Sequence, residues 1–459
     1  MKVIICGAGQ VGYNIARYLS AEGNDVTVID IQAELVNKIS DNLDVQGIVG
    51  YASHPDVLDR AGARDTDIII AVTYADEVNM VACEVAHALF DVPKKIARVR
   101  QQVYLQPKWS DLFSRAHMAI DAIISPEIEV AKAIERRLQV PGAFDAIPLS
   151  DGLLTLVGVH CGPDCPVTNT PLHHLSALFP DLHISVVAIM RGDRRVVPTG
   201  EDQMLAGDDV YFVADTAHLK RALAAFGHEE AEARSLIVVG GGNIGLYLTH
   251  SLEEQHRGLK VKMIEIDRRR AELAAQALPE TVVIHGDALD VEVLTEANVK
   301  TAETIIAVSN DDEVNILASL LAKRFGCQRS ITLINKMTYA PLLGTLGVDA
   351  VVSPRAITVS TILQHVRRGR VRSVHSLSDG FGEIIEVDAL ETSPLIGAPL
   401  REAKLPAGVI VGALVRGENE VIIPRGDTVV RPKDRVVLFA AADAVKKVEK
   451  MFSVRLEFF

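Results

Sequence analysis

The strongest constraint on the fold is a stretch that occurs twice. Residues 3–12, Val-Ile-Ile-Cys-Gly-Ala-Gly-Gln-Val-Gly, run from an apolar segment into a glycine-rich turn, and residues 236–245, Leu-Ile-Val-Val-Gly-Gly-Gly-Asn-Ile-Gly, do the same. Both keep the spacing G-x-G-x-x-G, with Gly7, Gly9 and Gly12 in the first copy and Gly240, Gly242 and Gly245 in the second. A helical apolar period follows the first turn (Val11, Ile15, Leu19), and each copy then reaches a second apolar run that ends on an acid, Asp30 or Glu265. One glycine is needed for the tight turn, one for close approach of a phosphate, and one for packing of helix on strand. The N–H groups at the helix start can then hold a pyrophosphate. Asp30 lies eighteen residues beyond Gly12, near where a ribose-binding acid is expected. The predicted contacts are therefore Gly7, Ala8, Gly9, Gln10, Val11, Gly12 and Asp30 in one half, and Gly240, Gly241, Gly242, Asn243, Ile244, Gly245 and Glu265 in the other.

The pattern around each turn predicts a parallel sheet. In residues 1–139, strand signals recur at Val45–Val49, Asp67–Val72, Lys95–Val99 and Ala119–Ile124, with helical stretches between them. One such stretch, Val78–Phe90, places Val78, Val81, Val85, Ala86 and Leu89 on one face, which reads as the buried face. Strands alternating with helices imply right-handed crossovers, and six strands in this order imply a Rossmann-like, doubly wound α/β domain. A helix over Glu127–Leu138 leads out and stops at Val140-Pro141-Gly142. Residues 143–227 then read as a small α+β module, with strands at Leu153–Val159, Ser185–Met190, Val196–Pro198 and Asp209–Val213 and a helix over Ala217–Phe226. Glu229–Arg234 is a charged linker.

The duplication extends well beyond the glycines. Ala71-Val72-Thr73-Tyr74-Ala75-Asp76-Glu77-Val78-Asn79 matches Ala307-Val308-Ser309-Asn310-Asp311-Asp312-Glu313-Val314-Asn315 at an offset of 236 residues. Ser125-Pro126 matches Ser353-Pro354, and Gly207-Asp208-Asp209-Val210 matches Lys433-Asp434-Arg435-Val436. The repeated unit is a nucleotide-type domain plus a small domain, a period too long for a solenoid. Four domains are expected, at 1–140, 141–228, 235–370 and 371–459, in keeping with 459 residues.

Composition narrows the function classes. The net charge of −13 disfavours nonspecific binding to nucleic acid or anionic lipid. Mean hydropathy is +0.21, yet no stretch reaches ~18 uncharged apolar residues, so no transmembrane helix is expected. The start runs straight from Lys2 into a short strand and does not read as a signal peptide. Five cysteines argue for free thiols rather than a disulfide frame, and a cytoplasmic location is expected.

Each acid admits more than one ligand. Asp30 would accept hydrogen bonds from a ribose diol and repel a 2′-phosphate, which favours NAD(H) over its phosphorylated form. ATP and ADP carry the same diol, so this acid does not exclude them. Arg268-Arg269-Arg270 after Glu265 read as a solvated helix start, since Glu265 would oppose a 2′-phosphate. Cys161-Gly-Pro-Asp-Cys165 is a single C-x-x-x-C without a second pair, and metal binding is not expected there. His173-His174 read as surface or cap residues, and Arg367-Arg368-Gly369-Arg370 as solvated charge, with a partner contact as the sharper reading. The small module after each nucleotide-type domain shows no His/Asp, Ser/His or Lys/Tyr arrangement that suits catalysis, and no catalytic residue is expected.

Together the two openings, the acids Asp30 and Glu265, the Asp-Glu-Val-Asn segments and the hairpins of both small modules resemble the RCK (KTN-type) regulatory domains, over essentially the whole length. The resemblance implies a non-enzymatic, nucleotide-sensing subunit that gates a TrkH/TrkG-like membrane potassium transporter. It implies a homo-oligomer, a tetramer forming an eight-domain ring, held on the inner face of the membrane by its partner. It also implies further contacts from Thr73, Tyr74, Arg98 and Ser309 near the strand ends. In this family the third strand usually ends in Gly-Asp. The second half has Gly286-Asp287-Ala288, whereas the first has Gly50-Tyr51-Ala52. Asp287 and Ala288 are thus expected near the second ligand, and Tyr51 either stacks on a base or is a surface aromatic. An NAD-dependent oxidoreductase with an unrecognised active site is the alternative, and a redox sensor acting on another target is a third.

Overall fold

The computed structural model describes residues 1–179, 182–256, 258–366, 371–377 and 380–452. The chain forms two compact units, Met1–Ala131 with Ser353–Val366, and Lys132–Val352 with the segment that follows Val366.

In the first unit, short apolar runs form β1 (Lys2–Cys6), β2 (Asp25–Asp30), β3 (Gln46–Val49), β4 (Ile68–Ala71), β5 (Lys94–Arg98) and β6 (Ala122–Ile124). They lie in the order β3-β2-β1-β4-β5-β6, and every pairing is parallel. This is the doubly wound order, in which the strand order reverses between β1 and β4. Helices α1 (Gln10–Ala21), α2 (Ala33–Asn42), α3 (Pro55–Arg60) and α4 (Asp76–Phe90) connect the strands, and α5 (Pro126–Gln139) leaves the sheet. Strand residues alternate between two cores. Val3, Ile5, Val28 and Ile70 pack with Ile15 and Leu19 of α1, while Ile4, Cys6 and Ile69 pack with Met80, Cys83 and Ala86 of α4.

The α4 reading needs correction. Its buried side is Met80, Cys83, Ala86 and Phe90, whereas Val81 and Leu89, expected inside, are 41% and 55% exposed. The helix carries apolar residues on two stripes, and the sheet covers only one of them.

The second unit contains the other three sheets. The first comprises β7 (Ala143–Leu149), β8 (Leu154–His160), β9 (Ile184–Arg191), β10 (Arg194–Val196) and β11 (Asp209–Asp215), in the order β10-β9-β11-β8-β7, with α6 (Leu172–Leu178) and α7 (Leu219–Ala225). Strand β7 escapes a reading by pattern because Asp145 and Pro148 interrupt it. It is an edge strand, where proline's missing N–H is tolerated. The strand expected at Val196–Pro198 lies instead at Arg194–Val196, paired to Ile189–Arg191 across a tight hairpin.

The next sheet repeats the first parallel one with β12 (Ser235–Val239), β13 (Lys260–Glu265), β14 (Val282–His285), β15 (Thr304–Ala307), β16 (Arg329–Leu333) and β17 (Ala350–Val352). The order β14-β13-β12-β15-β16-β17 is the same. Its helices are α8 (Asn243–Gln255), α9 (Arg268–Ala277), α10 (Val291–Glu296), α11 (Asp312–Arg324) and α12 (Ala340–Leu346). Helix α13 (Pro354–Val366) follows β17 but belongs to the first unit. Its Val359, Ile362, Leu363 and Val366 are buried against the Ile15–Leu19 face of α1. A helix of the second half thus completes the core of the first half's sheet.

The last sheet, β18 (Val371–Ser376), β19 (Gly382–Asp388), β20 (Val409–Arg416), β21 (Glu420–Ile422) and β22 (Arg435–Ala441) with α14 (Val445–Phe452), has the order β18-β19-β22-β20-β21, the counterpart of β7-β8-β11-β9-β10. The two antiparallel sheets share one apolar core, where Leu156, Tyr211 and Val213 meet Ala413, Val437 and Phe439. Arg191 grips Asp208 and Arg416 grips Asp434 through paired guanidinium contacts of 2.8–3.0 Å. The repeated hairpin aspartates are therefore structural anchors. Residues 367–370, with their arginines, lie outside the described residues.

Candidate nucleotide sites

Both glycine loops have the geometry that only glycine permits. Gly7 and Gly240 have φ of +111° and +104°, in the region closed to most L-residues. A Cβ on Gly12 would lie 1.8 Å from the Gly7 carbonyl oxygen, and one on Gly245 would lie 1.9 Å from that of Gly240. At Gly9 and Gly242 a Cβ would meet nothing within 4 Å. That open space faces the first turns of α1 and α8, neither of which is capped by a side chain. These uncapped turns are suited to an anion.

The two acids close their loops. Asp30 accepts from the Ala8 N–H at 2.7 Å and the Gln32 N–H at 2.9 Å. Glu265 accepts from the Gly241 N–H at 2.6 Å and the Asp267 N–H at 2.8 Å. A carboxylate offers about four lone-pair sites, so each acid keeps acceptor capacity for a diol. The longer Glu265 side chain explains Gly241, where a Cβ would sit 3.2 Å from Glu265 Oε2. Arg270 is exposed at the helix start, as the solvated reading has it, and its guanidinium also lies 3.0 Å from Glu265. Arg268 does pair with Glu272 on the helix surface, and Asp267 caps α9.

Across the switch point, the Thr73 N–H and hydroxyl both donate to Asn79 Oδ1, at 2.8 and 2.7 Å. Asn79 Nδ2 donates onward to the carbonyls of Thr73 and Arg98. The second half repeats the backbone part of this with Ser309, Asn315 and the carbonyl of Leu333, while the Ser309 hydroxyl donates to the Asp311 carbonyl. Asp76 accepts from the N–H groups of Arg100 and Gln101, and Asp312 from those of Asn335 and Lys336. The repeated Asp-Glu-Val-Asn segment therefore ties the loop after β4 or β15 to the end of the next strand. Its recurrence was the signal, but its job is visible only in three dimensions.

Arg98 donates from Nη2 to the Thr73 carbonyl at 2.8 Å, while its buried Nε has no partner among the described residues. Burial, and secondarily Arg100, lowers its pKa from the usual arginine range. Arg100 bonds Glu127 at 3.0 Å and lies over the ring of Tyr74, which is 86% exposed. At the first loop itself, the Gln10 side chain meets Arg355 of α13, a neighbour that sequence spacing does not reveal. Val11 packs against the α1 core, and Asn243 and Ile244 open α8.

The remaining predicted contacts divide. Tyr51 is half-exposed and stacked on His54 at 5.0 Å. Asp287 accepts from the Leu289 N–H, whereas Ala288 is a core residue. Cys161 and Cys165 are buried in the core of the small module, and burial pushes the Cys161 thiol up. Among the described residues, no group of three or more His, Cys, Asp or Glu is arranged to hold a metal ion. His173 and His174 are exposed, with rings 3.9 Å apart.

The TrkA-N domain matches residues 3–126 and 236–354, and the TrkA-C domain matches 156–227 and 384–453. The chain is 53% identical to the Trk system potassium uptake protein TrkA of Azorhizobium caulinodans, over 100% of both chains. The chain belongs to the TrkA family. It is also 40% identical to the TrkA of Halomonas elongata over 100% of both chains, and 34% identical to TrkA homolog 1 of Methanosarcina mazei over 98% of this chain and 100% of that one. Among solved structures, the GsuK RCK domain is similar with a TM-score of 0.60 at 18% identity, covering 99% of this chain and 95% of that chain. The GsuK channel bound to NAD gives 0.59 at 18% identity, covering 99% and 79%. The RCK resemblance of the motifs thus narrows to TrkA, and tandem TrkA-N and TrkA-C domains account for the alternating parallel and antiparallel sheets.

Proposed function

We propose that this TrkA-family chain is a nucleotide-sensing regulatory subunit of a membrane potassium transporter, with NAD(H), ATP or ADP as the ligands of its glycine loops. The reading rests on one observation. A full-length likeness to Trk potassium uptake proteins accompanies a loop–acid pair built twice, each with an uncapped helix start and an acid closing the loop. The first site comprises the Gly7–Gly12 loop, Asp30, Thr73, Tyr74 and Arg98, with Tyr51 at its adenosine end. The second comprises the Gly240–Gly245 loop, Glu265, Ser309 and Asp287, and Ala288 supports the second site from the core. The domains run 1–140, 141–228, 235–370 and 371–459.

Ligand binding shifts the population of domain arrangements, and the transporter, a TrkH/TrkG-like subunit, responds. The chain acts without catalysis, on the cytoplasmic face of the membrane, within a tetrameric ring. Val81 and Leu89 on α4 and Leu317 on α11 support assembly, because the repeat leaves an apolar residue uncovered at the same place, Val81 or Leu317, in both halves.

Co-purification from native membranes tests the partner. A potassium transporter subunit is expected to accompany the tagged full chain, with recovery that changes when NADH or ATP is added. Catalytic turnover of the nicotinamide absorbance with a small metabolite would instead establish the oxidoreductase alternative.

A further inference from the structure

The exit helices carry opposite charges at equivalent places. Ser125-Pro126-Glu127 opens α5 and Ser353-Pro354-Arg355 opens α13. Glu127 turns to Arg100, at 3.0 Å. Arg355 reaches the Gln10 side chain at the first residue of α1, directly after Gly9 and its open space. Four buried apolar residues of α13 clamp it to α1, so the position of Arg355 is set by packing rather than by a flexible loop.

The first site already holds one cation with spare capacity. Arg98 ends β5, on the opposite side of the glycine loop from Asp30 in the strand order, and its Nε lacks a partner among the described residues. At the same register in the second sheet stands Leu333. Arg98 pairs with Ile124 and Leu333 with Val352, the last residues of the neighbouring strands. The cation of the second site, Arg270, lies instead at its ribose acid. A nucleotide whose ribose sits on Asp30 and whose first phosphates sit on the loop would carry further negative charge toward β4 and β5.

Resting on the nucleotide reading above, we propose that Arg355 is a phosphate-binding residue of the first site, supplied by the exit helix of the second half. With Arg98 it makes the first site select nucleotides that bear charge beyond the first phosphate, while the second site does not. The contact also gives the second half's helix a direct sense of the first site's ligand, because a phosphate that draws Arg355 from Gln10 acts on α13.

The test is calorimetric titration of the full chain with AMP, ADP and ATP. The wild type should show one site per chain whose affinity climbs with each phosphate and a second whose affinity does not. Arg355→Ala should weaken ATP about tenfold or more, the range for a charge-assisted contact, and leave AMP unchanged, with Arg355→Lys restoring part of the loss. Arg98→Leu should flatten the same climb. A thermal melt monitors folding. Should the alanine variant fail to fold, Arg355→Gln and the salt dependence of wild-type binding, steeper for ATP than for AMP, carry the test. An ATP-to-AMP ratio that Arg355→Ala leaves unchanged, or equal ATP affinity at both sites, overturns this inference alone. Absence of binding by these nucleotides and by NADH, titrated alongside, overturns the proposed function with it.

Discussion

Arg98 and Leu333 occupy the same register in the two parallel sheets, and the carbonyl of each accepts a hydrogen bond from an equivalent asparagine, Asn79 or Asn315, at 2.9 and 3.0 Å. The duplicated scaffold therefore fixes the backbone alike in both halves and leaves the side chain free to differ. In one half that side chain is a guanidinium bonded to the Thr73 carbonyl, and in the other it is a buried leucine.

Gly12→Ala and Gly245→Ala should be strongly destabilising. The new methyl would lie within 2 Å of a carbonyl oxygen, and relief requires helix and strand to separate. The expected loss is about 1–3 kcal/mol, read as a lowered melting temperature, with nucleotide binding lost at the altered loop. A variant with wild-type stability would show that the loop relaxes more easily than its geometry implies.

Asp30→Ala should weaken nucleotide binding at the first site by roughly 1–3 kcal/mol. The variant removes the acceptor for a diol and leaves the Ala8 and Gln32 N–H groups without their carboxylate. Calorimetry with NADH and with ATP measures both ligands. Unchanged affinity for both would remove Asp30 from the site.

Asp434→Ala should destabilise the last sheet. Asp434 is 2% exposed and takes two bonds from Arg416 and one from the Arg431 N–H. Breaking such a pair from one side costs about 3–5 kcal/mol. Denaturant unfolding reads the loss, and Asp208→Ala should show the same effect in the matching hairpin.

Leu89→Glu on α4 should change assembly rather than folding. Leu89 is 55% exposed and outside both cores of its sheet, and surface changes of this kind usually stay within about 0.5 kcal/mol. Light scattering should report a smaller species with an unaltered melting temperature. An unchanged mass would exclude Leu89 from the assembly surface.

Stability should fall with pH on the acid side of neutrality. Burial, with Arg136 as the second cause, pushes the His375 imidazole down to about 4, whereas an unfolded histidine titrates near ~6.5. Between those values the unfolded chain binds a proton that the folded chain refuses. The contribution is fully present above about pH 6.5 and declines toward pH 4, by up to about 3 kcal/mol in all. Melting curves at pH 7 and pH 5 should show the slope, and His375→Gln should flatten it.

Local pattern determined the two glycine loops, their acids, the alternation of strand and helix, and the four-module order, because steric limits on glycine turns and period-2 or period-3.6 burial act over a few residues. Tertiary structure alone decided which stripe of α4 is buried, that Asp76 and Asn79 hydrogen-bond to backbone groups, that Arg270 pairs with Glu265, and that α13 joins the other half's core and brings Arg355 to Gln10. Each of these depends on chain segments between five and several hundred residues apart. Only the packing of whole helices and strands places such partners within hydrogen-bond reach.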